Sequence, residues 1–259
     1  MSERFSRTEM LLGADAMEQL RNAHVAVFGV GGVGGYTAEA LVRSGIGKLT
    51  LVDSDTIAES NINRQIIATT QTIGRYKTEV MKERAMEINP EITVEERRCF
   101  FLPENAETFD FTQYGYVVDA VDTVTAKLAL VEAANKAGVP IISCMGAGNK
   151  LNPGAFEITD LYKTSVCPLA KVMRRECKLR GIKKLKVLYS KEEALKPQEL
   201  SVLKNVDGQA DSSPQREEQK QAVEAGQVRR RSTPGSVAFV PSVAGLMIAG
   251  EVIRDLTEV

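Results

Sequence analysis

The stretch that most constrains this chain is Val25–Asp53, VAVFGVGGVGGYTAEALVRSGIGKLTLVD. It opens on a short apolar run, Val25–Phe28, of the length needed by a strand buried on both faces. Gly29, Gly31 and Gly34 follow in G-x-G-x-x-G spacing, with extra glycines at Gly32 and Gly35. Val33, Ala38, Ala40, Leu41 and Val42 then recur at roughly helical intervals, and a second apolar run, Leu49–Val52, ends at Asp53. The order is strand, glycine turn, helix, strand, acid. Glycines let the backbone approach a phosphate closely, and the helix N-terminus offers free N–H groups and the positive end of its dipole. Asp53, at the carboxyl end of the second strand, can accept hydrogen bonds from a ribose. The commonest ligand of such a unit is a dinucleotide cofactor; the plainer alternative is a packing turn with no ligand.

The remaining composition narrows the field by exclusion. With 259 residues, 43% apolar, 26% charged and a net charge of −1, the chain fits a soluble globular protein with no overall bias toward nucleic acid or membrane. It holds one histidine, His24, at the start of the first strand, where a structural role is expected; histidine triads and His-rich metal sites are disfavoured. The cysteines Cys99, Cys144, Cys167 and Cys177 form no C-x-x-C pair and no evident disulfide framework, which suits a reducing cytoplasm. The N-terminus lacks the apolar core of a signal peptide, and Val237–Ala249 is interrupted by Pro241 and too short to span a bilayer, so no membrane role is expected.

Along the chain, residues 8–22 read as a helix whose apolar face (Met10, Leu11, Leu12, Met17, Leu20) packs on the first strand, with Arg4 and Arg7 exposed ahead of it. Residues 75–88 read as an amphipathic helix ended by Asn89-Pro90, 92–95 as a short strand, and 103–109 as helical. Tyr116–Val121 reads as a buried strand, Thr125–Ala137 as a helix closed by Gly138, and Val139–Ser143 as another strand. The alternation predicts an α/β, Rossmann-like, mostly parallel sheet flanked by helices. The period changes after Gly146: Phe156–Leu161 suggests a strand, 167–180 a basic helix, 204–231 a mobile polar loop, and 237–257 a helix docked on the sheet. This C-terminal extension leaves one domain over 1–259, with a nucleotide-binding core at 22–150 and a substrate-facing part at 151–259.

Further features fall near strand ends, where ligands bind in open α/β sheets. In Asn61-Ile62-Asn63-Arg64-Gln65, Arg64 can fork onto phosphate oxygens and the amides can hold ribose or phosphate; otherwise this is a solvated loop. Lys77 follows Gly74 at a helix start, where a cation opposes the helix dipole. A bound polyphosphate removes that conflict; a side chain bent into water removes it equally well. Asp119 and Asp122 follow a strand, and Asp122 either helps to hold Mg²⁺ with substrate phosphates or caps the helix near Thr125. A hydride-transfer site gives Arg64, Lys77 and Asp122 no task. A site that activates a substrate with ATP does, because they would stabilise charge on the α-phosphate while pyrophosphate leaves.

GVGGVG, D-S-D at 53–55, S-N-I-N-R-Q at 60–65, G-R-Y-K at 74–77 and V-D-A-V-D at 118–122 together resemble the ubiquitin-activating-enzyme-like superfamily over about residues 4–150. The resemblance implies that Gly32 contacts the ATP phosphates, Asp53 the ribose, and Asn61, Arg64 and Lys77 the nucleotide and its phosphates, while Asp122 assists Mg²⁺. It also implies a homodimer in which Arg7 is lent to the partner's site. The sulfur-carrier adenylyltransferases of this group usually have two C-x-x-C zinc pairs, which this chain lacks. G-A-G-N-K at 146–150, T-D-L-Y-K-T at 159–164, C-P-L-A-K-V-M-R at 167–174 and F-V-P-S-V-A-G-L at 239–246 are similar instead to the tRNA threonylcarbamoyladenosine dehydratases. The resemblance then implies ATP-dependent cyclodehydration of threonylcarbamoyladenosine in tRNA next to the anticodon, through an acyl-adenylate. The alternative is activation of the C-terminus of a small sulfur-carrier protein. Some dehydratases carry a cysteine before the late G-S segment; here that region is Arg231–Ser236, which leaves any sulfur-transfer partner open.

A charge asymmetry agrees with a tRNA partner. Lys163, Lys171, Arg174, Arg175, Lys178, Arg180, Lys183, Lys184 and Lys186 crowd into one segment in which only Glu176 is acidic. Such a run either binds phosphates, with affinity that falls as salt rises, or forms a solvated helix face.

Overall fold

The computed structural model describes residues 3–198 and 234–258. The expected loop at 204–231 lies outside the described residues. The chain divides into a main unit, residues 1–194 with 236–259, and a second unit, residues 195–235; of the latter only 195–198 and 234–235 are described, as irregular chain. All the described helices and strands belong to the main unit.

Its centre is a seven-stranded sheet in the order β3-β2-β1-β4-β5-β7-β6. The strands are β1 (His24–Phe28), β2 (Lys48–Val52), β3 (Thr93–Arg97), β4 (Tyr116–Asp119), β5 (Ile141–Cys144), β6 (Phe156–Asp160) and β7 (Lys186–Ser190). All neighbours pair in parallel except β6 with β7. The helices among the described residues are α1 (Ser6–Leu12), α2 (Ala14–Asn22), α3 (Gly34–Arg43), α4 (Lys77–Ile88), α5 (Val124–Ala137), α6 (Pro168–Leu179) and α7 (Phe239–Thr257). The Rossmann-like α/β expectation holds.

The period-two alternation of the strands divides the core. Val25 and Val27 of β1, Leu49 and Leu51 of β2 and Val118 of β4 meet Leu41 and Val42 of α3, Met81 of α4 and Ile248 and Val252 of α7 on one face. Ala26 and Phe28 meet Leu130 and Val131 of α5 and Met173 and Cys177 of α6 on the other. There Phe28, Phe101, Phe109 and Phe111 pack with ring centroids 5.1–6.4 Å apart. His24 is structural, as expected: its ring nitrogens lie 2.8 Å from Thr50 Oγ1 and 3.1 Å from the Gln113 carbonyl.

Several sequence expectations need correction. The helix at 8–22 is two helices, broken at Gly13, whose φ of +86° suits glycine. Met17 and Leu20 are buried, but Met10 and Leu11 are 81% and 84% exposed, because the break turns α1 off the sheet. The strand at 116–121 stops at Asp119, whose own Oδ1 accepts the Val121 N–H and turns the chain away. The segment at 103–109 is a 3₁₀ helix, Pro103–Thr108. Strand β3 runs to Arg97, two residues past the expected end. Strand β5 begins at Ile141, after Pro140, which cannot donate to a ladder. Strand β7 was not expected at all: its KVLYS is flanked by charge that masks the apolar run.

Candidate functional site

The glycine turn after β1 is the meeting point of the site. Gly29 has a φ of +88°, and a Cβ on it would stand 2.7 Å from the Ala120 carbonyl oxygen. A Cβ on Gly34 would stand 1.8 Å from the Gly29 carbonyl oxygen, so this turn closes only with hydrogen at that position. Gly31 is more open, with Gln65 Nε2 4.0 Å from its would-be Cβ. At Gly32 the nearest atoms are the Pro241 ring at 3.2 Å and Arg64 Cγ at 3.6 Å. The 61–65 loop, the 120–123 turn after β4 and the start of α7 therefore all press on one glycine loop.

Asp53 joins this turn to Lys77. Its Oδ2 accepts the Val30 N–H at 2.7 Å and its Oδ1 accepts the Asp55 N–H at 2.9 Å. Lys77 Nζ lies 2.6 Å from Asp55 Oδ2 and 3.8 Å from Asp53 Oδ1. Lys77 is buried at the first position of α4, so it does not bend into water; it turns back onto the carboxylates at the end of β2. Burial pushes the Asp53 carboxyl above its ordinary pKa, against the opposing pull of Lys77.

Arg64 is half-buried, and its Nη1 donates to the Ser60 carbonyl and to Asn63 Oδ1, each at 2.9 Å. These are neutral acceptors, and among the described residues no carboxylate pairs with it. Burial lowers its pKa from the ordinary guanidinium value, the mark of a cation short of a counter-charge. Asn61 Oδ1 accepts the Ala58 N–H at 3.1 Å within its own turn, which fixes the side chain and leaves its amide N–H groups to serve a ligand. Asn63 Nδ2 donates to the Ser236 carbonyl at 2.9 Å, which ties the loop to the approach of α7.

Two buried oxygens, Ser54 Oγ and Gln65 Oε1, have no hydrogen-bond partner among the described residues. Buried polar atoms are rarely left so, and these flank Asp53 and Gly31. Open glycine N–H groups, an uncompensated arginine and unfilled polar atoms fit a nucleoside polyphosphate. Asp122 is exposed and forms no side-chain hydrogen bond or ion pair with described residues; the N-cap of α5 is Thr123, so the capping alternative does not hold. Among the described residues no group of three metal-ligating side chains exists. One free carboxylate beside a phosphate loop still fits the usual way Mg²⁺ is held, by one or two carboxylates with substrate phosphates.

Asp119 is fully buried and plays a different part. It accepts from Lys127 Nζ at 3.1 and 3.2 Å, from Ser143 Oγ and from the Val121 N–H. Lys127 and Ser143 escaped the sequence reading, as did Ser54. A lysine within the apolar run AKLALVEAA was the one available signal.

The basic segment divides. Lys171, Arg174, Arg175 and Lys178 share one face of α6 at three- and four-residue spacing. Lys171, Lys178, Lys183 and Lys184 are exposed. Arg175 and Arg180 both pair with Glu176 at 2.8 Å. Arg174 Nη1 is turned inward onto Thr164. Lys186 leaves the patch altogether, because β7 places its Nζ 2.7 Å from Glu251 and 2.6 Å from Asp255 of α7. Arg7 is exposed on α1. No helix among the described residues is long and apolar enough to cross a membrane.

A mostly parallel α/β sheet with a tight glycine turn after its first strand, a carboxylate behind that turn and Arg64 and Lys77 close by is the frame of a nucleotide-binding protein of the adenylating type. The chain belongs to the ThiF family, whose model matches residues 5–259. It is 41% identical over 257 residues to the tRNA threonylcarbamoyladenosine dehydratase of Bacillus subtilis strain 168, covering 99% of this chain and 95% of that one. The crystal structures of E. coli tRNA N6-threonylcarbamoyladenosine dehydratase, TcdA, in complex with ATP and with AMP match at TM-scores of 0.81 and 0.82 and 30–31% identity. They cover 99% of this chain and 94% of theirs. The adenylyltransferase alternative is more distant: a probable adenylyltransferase/sulfurtransferase of Mycobacterium tuberculosis strain H37Rv is 35% identical over 54% of this chain and 36% of its own length.

Proposed function

We propose that this protein uses ATP to dehydrate and cyclise the threonylcarbamoyl group on a tRNA adenosine next to the anticodon. The observation that carries the reading is Asp53, which binds the Val30 N–H of the glycine turn on one side and faces Lys77 on the other. The likeness to dehydratases over nearly the whole chain supports the substrate.

The substrate carboxylate attacks the α-phosphorus of ATP; the bond to the β-phosphate oxygen breaks and pyrophosphate leaves. The neighbouring carbamoyl group then attacks the acyl carbon, AMP leaves with the bonding electrons, and a ring closes. The substrate loses one water overall, while ATP becomes AMP and pyrophosphate. The turn from Gly29 to Gly34 holds phosphate oxygens by the N–H groups of Gly31, Gly32 and Gly34, aided by the N-terminus of α3, while the Gly29 N–H anchors the turn to the Val52 carbonyl at 2.8 Å. Arg64 and Lys77 neutralise charge that builds on the α-phosphate, Asp53 holds the ribose, and Asn61 and Gln65 supply amide hydrogen bonds. Asp122 would hold Mg²⁺, which would supply further charge neutralisation on the phosphates. Arg7 reaches the site of a second copy in a homodimer; the exposed Met10 and Leu11 beside it give α1 an apolar surface to bury there. Lys171, Arg175, Lys178, Lys183 and Lys184 hold the tRNA backbone, and the protein works in the cytoplasm. Within the expected substrate-facing part at 151–259, residues 151–194 and 236–258 belong to the same unit as the nucleotide core.

The test is direct. The protein is incubated with ATP, Mg²⁺ and tRNA bearing threonylcarbamoyladenosine, and the released nucleosides are weighed by mass spectrometry. A product lighter by one water is expected. An unchanged nucleoside, with adenylation of a small carrier protein instead, would overturn the reading.

A further inference from the structure

Lys127, the fourth residue of α5, is enclosed on all sides: its side chain is 1% exposed and that of its partner Asp119 is 0% exposed. A buried ion pair gains little over apolar side chains of similar size, and a cation near a helix N-terminus opposes the helix dipole. Stability alone therefore gives no reason for a lysine here. What apolar residues would not supply is a set of bonds. Lys127 Nζ donates to both Asp119 oxygens and, at 2.6 Å, to the Cys144 carbonyl at the end of β5. Asp119 in turn accepts from Ser143 Oγ and from the Val121 N–H. The ends of β4 and β5 are thus tied together at the point where the chain turns toward Asp122. The Ala120 N–H donates to the Phe28 carbonyl at 2.9 Å, and the Ala120 carbonyl lies against Gly29. The turn that carries Asp122 is fixed to the glycine loop on one side and to Lys127 on the other.

We propose that Lys127 is a positioning residue for Asp122: through Asp119 and the Cys144 carbonyl it holds the 120–123 turn against Gly29 and so sets Asp122 beside the nucleotide phosphates. This rests on the assignment of Asp122 to the metal–phosphate end of the site. Supporting residues of this kind typically change metal affinity or activity by on the order of 10–100-fold when removed. Lys127→Met leaves Asp119 buried and unpaired, so the decisive variant is Asp119→Asn/Lys127→Met, which removes both charges.

Turnover, the Mg²⁺ concentration for half-maximal rate, hydrogen exchange at the Val121 amide and the melting temperature are measured for both variants, for Lys127→Arg and for Asp122→Asn. The double variant is expected to melt near the parent yet lose roughly 10–100-fold in turnover, need more Mg²⁺ and exchange the Val121 amide faster, while Lys127→Arg recovers most of the loss. A double variant with parental turnover and Mg²⁺ dependence would overturn the proposal, as would a loss that only follows melting temperature with Val121 exchange unchanged. If Asp122→Asn itself leaves turnover and Mg²⁺ dependence intact, the assignment of Asp122 fails. If Asp122→Asn loses both while the double variant keeps both, only the role of Lys127 fails.

Discussion

Pro241, at the start of the C-terminal helix, stands 3.2 Å from where a Cβ would lie on Gly32 of the glycine turn, more than two hundred residues earlier in the chain. The late helix is thus a wall of the glycine turn. It is locked there by Thr37 Oγ1, which donates to the Gly245 carbonyl at 3.1 Å. Gly245 is itself tight: a Cβ there would stand 2.4 Å from the Val33 carbonyl oxygen.

The glycines of the turn should therefore separate by substitution. In Gly34→Ala the methyl group meets the Gly29 carbonyl at 1.8 Å, which no local adjustment relieves. Gly34→Ala should fail to fold or should melt far below the parent. Gly32→Ala meets only the Pro241 ring and the Arg64 stem; it should fold with a loss of about 1 kcal/mol, an overpacking cost, and bind ATP more weakly. Urea denaturation and ATP titration distinguish the two. A Gly32→Ala protein with parental ATP affinity would remove that residue from the phosphate contacts.

Among the described residues Arg64 donates only to neutral acceptors, and it is half-buried, so its charge is matched to an incoming anion. Arg64→Ala should fold normally and lose on the order of 10²–10³ in turnover, the size of effect seen when one donor to a charged transition state is removed. Subunits carrying Arg64→Ala mixed with subunits carrying Arg7→Ala should regain part of the activity, because one composite site per mixed dimer is intact. Absence of recovery in a mixture shown to exchange subunits would count against Arg7 acting across the dimer.

The basic patch should read out through salt. Lys171→Gln, Lys178→Gln, Lys183→Gln and Lys184→Gln combined should weaken tRNA binding and flatten its dependence on log salt by about 0.7–0.9 for each phosphate that is no longer neutralised. Lys186→Gln should leave that slope alone and lower the melting temperature, since it removes the cation shared by Glu251 and Asp255 and leaves them Arg254 and the Tyr116 hydroxyl. A parental slope in the fourfold variant would place the tRNA elsewhere.

The only histidine of the chain offers a pH test. Burial, followed by the Lys48 charge, lowers the His24 pKa below its ordinary value of 6.5. The unfolded chain thus binds a proton at about pH 6.5 that the fold takes up only at lower pH. Stability from neutral His24 is present above pH 6.5 and is lost as pH falls from there toward the folded pKa, by at most about 1.4 kcal/mol per pH unit. His24→Gln, which keeps polar atoms near Thr50 and Gln113, should flatten that slope just below pH 6.5 in urea denaturation. An unaltered slope would assign the acid sensitivity to carboxylates.

The sequence by itself determined the strand–glycine turn–helix–strand unit at residues 25–53 and the mostly parallel α/β class. Each is written in short-range terms: period two for strands, 3.6 for helices, and glycines where side chains cannot fit. Only the tertiary structure decided that Lys77 turns onto Asp53 and Asp55, that Lys186 leaves the basic patch for Glu251 and Asp255, and that Pro241 walls the glycine turn. The same holds for Lys127 and Asp119: they are eight residues apart, yet their bonds run on to Ser143 and Cys144 of a different strand. Local preference fixes which elements form. Which charge meets which counter-charge depends on how those elements pack, and that is settled by burial of the whole sheet between its two helical layers.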